Sequence, residues 1–90
     1  MKSGKNIFKA GKLIKIDLKY DETINEIKIH GDFFLYPEDS IEKLQQQLVG
    51  TRIDKQAIKE RIDAILRQEL IESFGFTSEQ LAEAILGACK

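Results

Sequence analysis

With 90 residues, 42% of them apolar and 32% charged, the chain has room for one domain and not for two. A chain of this length hides only roughly 60% of the surface its unfolded form exposes, which leaves little interior for an enclosed active site. The net charge of −1 conceals an asymmetry. Residues 1–20 carry six lysines against Asp17 alone, a charge of +5, and the remainder carries eight basic and fourteen acidic groups, a charge of −6. Nucleic acid is disfavoured as a partner, because the acidic remainder repels the polymer and the basic arm holds no arginine and only Phe8 as an aromatic. No apolar run is long enough to span a bilayer or serve as a secretory signal, so the expectation is a cytoplasmic protein with no membrane partner.

Residues 1–10 read as a basic arm. From Gly11 to Tyr20, Ile14, Ile16, Leu18 and Tyr20 alternate with Lys15, Asp17 and Lys19, which predicts a half-buried strand. After the polar turn Asp21 to Thr23, Ile27 and Ile29 alternate with Glu26, Lys28 and His30 in a second strand, close enough for an antiparallel pair. Gly31 opens GDFFLYP, expected as a third strand antiparallel to the second and ended by Pro37. Three helices follow. The first runs from about Glu38 to Val49 with the stripe Ile41, Leu44, Leu48, and stops at Gly50. The second runs from an Asp54 N-cap to about Ser73, with Ile53 and Ile58 as a staple and Ile58, Ile62, Ile65, Leu66 and Leu70 facing inward. The third has Thr77 as N-cap, Gln80 in the capping-box position and Phe76 stapled to Leu81. The expectation is one α+β domain: a three-stranded antiparallel meander over residues 11–36, then a helical half over 37–90 packed on one sheet face.

The opposite sheet face is the informative one. If strand parity continues through Gly31, Phe33 and Leu35 join the core, and His30, Asp32, Phe34 and Tyr36 point outward with Lys15 and Lys28. Two aromatics left on a polar face need a cover. Ile7 and Phe8 can supply it, a bulge at Gly31 can invert the parity, or a docking partner or small molecule can bind there. His30 is the only histidine and Cys89 the only cysteine, so neither a multi-histidine metal site nor a cysteine-based zinc site can form within the chain. There is no GxxxxGK[ST] and no GxGxxG, so any nucleotide is expected on another chain. Asp39 and Glu42, three apart on a helix, read as wet surface.

Gly11-Lys12-Leu13-Ile14 ahead of an alternating strand, Ile27-Lys28-Ile29-His30-Gly31-Asp32-Phe33-Phe34, Pro37, the Leu44 to Gly50 helix end, and Gly75 ahead of Leu81-Ala82-Glu83-Ala84-Ile85 resemble the C-terminal accessory domain of lipoate-protein ligases. The resemblance covers nearly the whole chain, and its most specific element is GDFF with GKL upstream. A chain running from Met1 to Lys90 resembles the form in which this domain is a separate polypeptide.

The resemblance implies a small fold similar to sulfur-transfer and iron-sulfur scaffold proteins, the SufE/NifU-like fold. It implies a two-subunit ligase whose larger, catalytic chain binds lipoate, ATP and Mg, while this chain supports formation of lipoyl-AMP and has no catalytic residue or metal of its own. Acceptors would be lysines of E2 components or of glycine-cleavage H protein. Lys12, Gly31, Asp32, Phe33 and Phe34 are then expected at the interface with the catalytic subunit or on the flank of its active site. The alternative from the related fold is a sulfur or iron-sulfur scaffold using Cys89.

Overall fold

The computed structural model describes residues 1–10 and 12–89. Gly11, where the sequence reading starts the first strand, lies outside them. The element order is β1 (Lys2–Ala10), β2 (Lys12–Tyr20), β3 (Ile24–Gly31), β4 (Phe34–Tyr36), α1 (Ser40–Leu48), α2 (Lys55–Gln68), β5 (Glu72–Phe74) and α3 (Ser78–Gly87). This is an α+β fold with a three-stranded antiparallel sheet and three helices, as the sequence implies.

Strand membership differs from the expectation in two places. The basic arm is itself a strand. β1 pairs antiparallel with β2 along its length, with Gly4 opposite Leu18, Asn6 opposite Ile16 and Phe8 opposite Ile14, so the sheet order is β1-β2-β3. The GDFFLYP strand, in turn, does not pair with β3. Its residues Phe34–Tyr36 form β4, which joins β5 in a separate antiparallel ribbon. The reason is that the free edge of β3 is already occupied. The Ile29 amide donates to Gln45 Oε1 at 2.8 Å, the Ile24 amide donates to the Thr51 carbonyl, and the Gly50 amide donates to the Ile24 carbonyl. The Asp32 amide donates to the Leu13 carbonyl at 3.0 Å, which carries the chain on past the end of β2 and prevents it from folding back.

The β2–β3 core face follows the predicted alternation. Ile14, Ile16, Leu18 and Tyr20 are buried from β2, and Ile27 and Ile29 from β3. β3 begins earlier than expected, at Ile24, because a register shift beside Tyr20 lets one extra residue, Asn25, bulge and turns Ile24 inward as well. The helices cover this face: α1 lies on β3, α3 on β1 and β2, and α2 packs between α1 and α3. Leu44, Leu48, Ile58, Ile62, Ile65, Leu81 and Ile85 are all fully buried.

The helix boundaries obey their caps. The Asp54 carboxylate accepts from the Ala57 amide at 2.9 Å, and Thr77 and Gln80 form the reciprocal capping box. α2 ends at Gln68, not near Ser73. Leu70 adopts a left-handed backbone (φ 54), its amide donates to the Arg67 carbonyl, and the Ile71 amide reaches back to the Leu66 carbonyl at 2.9 Å. That is a Schellman stop, and it sends Leu70 outward into solvent where the helical pattern had placed it inward.

Candidate functional site

The predicted site residues converge where β2, β4 and β5 meet. Gly31 has φ 151, and a Cβ there would collide with the backbone carbonyl of Leu13, so only glycine lets the chain cross the end of β2 so closely. Asp32, tied by its amide to Leu13, is exposed. Phe33 turns inward, with its ring edge-on to Phe76 at a centroid distance of 5.2 Å. Gly75 (φ 111) passes against both Phe33 and Lys12. A Cβ added there would lie 3.0 Å from Phe33 Cβ and 3.2 Å from Lys12 Cγ. The Lys12 stem therefore lies beside the Phe33–Gly75 contact, and the residue as a whole is exposed.

Phe34 faces solvent at 76% exposure. Strand parity is thus preserved through Gly31: Leu35 is buried, while His30, Asp32, Phe34 and Tyr36 are exposed. The chain's own N-terminus does not cover the aromatics, because Phe8 packs into the core and Ile7 stands exposed on the outer sheet face. An open groove of about 530 Å³ runs along the corner, lined by residues including His30, Gly31, Phe33, Phe34, Glu38 and Ile41. A larger hollow of about 640 Å³ lies over Lys5, Lys19 and Lys28 on the sheet. Two of those lysines are already paired, Lys5 with Asp17 at 3.8 Å and Lys19 with Glu26 at 3.5 Å.

The corner offers exposed aromatic surface with a cation at its edge. Among the described residues, no three His, Cys, Asp or Glu side chains converge as metal ligands would. The groups whose acidity the fold shifts lie elsewhere. At the α2–α3 seam, a hydrogen bond from Ser78 together with Lys59 holds the Asp63 carboxyl below the usual carboxylate range, and Glu83 and Glu79 hold Lys55 above the usual lysine value. The Cys89 thiol is pushed up by burial and donates to the Ile85 carbonyl at 3.5 Å. A thiol in that state is a poor nucleophile, which tells against the sulfur-scaffold alternative.

Sequence reasoning missed Phe74 and the strand that carries it. Phe74 is 55% exposed and sits directly opposite Phe34. Glu72-Ser73-Phe74 carries no apolar alternation, and a reading that extends α2 over it leaves no strand there.

The chain belongs to the family described as bacterial lipoate protein ligase C-terminus, whose model matches residues 3–85. Among individual proteins, it is 48% identical over 44 residues to lipoate-protein ligase A subunit 2 of Thermoplasma acidophilum, a match spanning 48% of this chain and 47% of that one, about half of each. In three dimensions it is similar to a chain from a bi-partite lipoate protein ligase and its E2 lipoyl domain from the same organism. The TM-score is 0.80 and the identity 32%, over 93% of this chain and 94% of that one.

Proposed function

We propose that this chain is the noncatalytic accessory subunit of a two-chain lipoate-protein ligase. Together with the catalytic subunit, it supports ATP-dependent activation of lipoate to lipoyl-AMP, which precedes transfer to a lysine of an acceptor protein. The observation that carries this is the likeness, over 93% of the chain, to one part of a bi-partite ligase. Lipoate, ATP and Mg belong in this assignment to the larger chain.

Adenylation joins a carboxylate to the α-phosphate and builds negative charge there, so a docked domain helps by excluding water and fixing geometry, and by adding a cation to the flank. The corner is built for such docking. Gly31 and Gly75 bring the backbones close, Phe33 locks the corner onto Phe76, Phe34 projects as an anchor, and Lys12 stands at the rim. The acceptor would be an E2 lipoyl domain or a glycine-cleavage H protein.

Phe34→Ala is expected to weaken association with the catalytic subunit by about 2 kcal/mol, roughly thirtyfold in Kd. Lys12→Ala is expected to weaken it by several-fold at low salt, with the difference shrinking as salt rises. If both purified variants support lipoyl-AMP formation at the wild-type rate at subsaturating concentration, the docking corner is misplaced.

A further inference from the structure

The β4–β5 ribbon presents more than Phe34. The register sets Phe34 opposite Phe74 and Tyr36 opposite Glu72, so Phe34, Tyr36 and Phe74 share the solvent side with the single charge of Glu72, while Leu35 is buried beneath them. Tyr36 is 67% exposed, and Leu70, two residues before Glu72 at the Tyr36 end of the ribbon, is 83% exposed. Taking roughly 200 Å² for each fully exposed side chain of this size, these four residues leave about 550 Å² of largely apolar surface uncovered, at the upper end of what a monomer shows. That is a large share of the roughly 800 Å² per partner in a standard protein interface.

Leu70 is the informative member. It occupies the left-handed position of the Schellman stop, where glycine is the usual residue because a Cβ is strained there. Its side chain gains almost no burial within the chain. Neither the backbone nor the packing of this chain therefore favours leucine at that point.

We infer that the solvent side of the β4–β5 ribbon, with Tyr36, Phe74 and Leu70 added to Phe34, is one continuous docking face for the catalytic ligase subunit, and that Leu70 serves this contact against the stability of its own chain. This rests on the functional assignment above. The occupant is the catalytic chain because Phe34 belongs both to the ribbon and to the corner groove, so one partner seated on that corner reaches Phe74 directly. The area also suits one side of a heterodimer.

The test uses the full chain as wild type, Leu70→Gly and Phe74→Ser, each titrated with the catalytic subunit, with the Tm and the mass in solution of each chain measured alone. Leu70→Gly should melt a few degrees higher than wild type yet bind at least about tenfold more weakly, a separation that simple misfolding cannot produce. Phe74→Ser should bind at least about tenfold more weakly with its folded signature intact. Binding of both variants within twofold of wild type, while wild type itself binds, overturns the face and leaves the functional assignment standing. A lower Tm for Leu70→Gly overturns the role given to Leu70. A wild-type homodimer that both variants dissolve assigns the face to a second copy instead. Failure of wild type to bind the catalytic subunit overturns both the assignment and the face.

Discussion

Asn6 shows how one polar side chain can seat an edge strand on a helix. Its amide donates to the Ala84 carbonyl at 2.9 Å, near the carboxyl end of α3, where the last carbonyls lack helical partners. Gly87 leaves the room for it, since a Cβ there would collide with the Asn6 amide, and Gly4 lies against the Ala88 carbonyl just as closely. Asn6→Ala should lower unfolding stability by about 1–2 kcal/mol, read as a shift of the urea midpoint. Gly4→Ala should do more, because the obstacle is backbone that cannot rotate away. At Cys89 the expectation is the opposite. Cys89→Ser should leave support of lipoyl-AMP formation within about twofold of wild type, and the wild-type thiol should react slowly with iodoacetamide at pH 7, given its burial and raised pKa. Loss of activity in Cys89→Ser would point to sulfur chemistry.

Among the elements, the α2–α3 seam holds a carboxylate and an amine whose acidity the fold shifts. Lys55 sits 3.1 Å from Glu83 and 3.6 Å from Glu79, and Lys59 sits 3.1 Å from Asp63. The Asp63 carboxyl is held below its unfolded value, so its contribution is present above the unfolded carboxylate pKa and is lost as the pH falls through the folded one. Lys55 is held above its unfolded value, so its contribution is present below that value and fades only as the pH rises through the folded one. Asp63→Asn should therefore flatten the acid limb of a Tm-against-pH profile and leave the alkaline limb as in wild type. An unchanged acid limb would show that other carboxylates set it.

The helix starts are legible in the sequence because caps are local chemistry, as Asp54 and the Thr77–Gln80 box attest. The strand β1 is not, because its inner positions hold Gly4 and the polar Asn6 before Phe8 while apolar Ile7 shares the outer side with Lys5 and Lys9, so no apolar alternation shows. Charged side chains of this kind are what keep an open sheet edge from pairing further. β5 is hidden for a different reason. It is three residues long, and it begins just after a helix stop made by a leucine where glycine would have announced it. Of the site, Phe34 and Tyr36 follow from strand parity alone. Phe74 depends on a pairing between residues some forty positions apart, which no local pattern specifies.

At the scale of the whole molecule, the lysines of the first twenty residues are spread along β1 and β2, and their outward rows alternate with Asp17 and Glu26 across the sheet. The aromatic corner lies where the chain leaves β3 for β4, with Lys12 of these lysines beside it. On the proposed assignment, the open groove of about 530 Å³ and the uncovered rings form the surface that the catalytic subunit completes. A chain that works this way contributes to the reaction only through its complex. The decisive measurement is formation of lipoyl-AMP from lipoate and ATP by the catalytic subunit, with this chain present or absent. Adenylate formation should rise at least about a hundredfold when the chain is added and should track the fraction of complex formed. An equal rate without it, or adenylate made by this chain alone, would contradict the assignment.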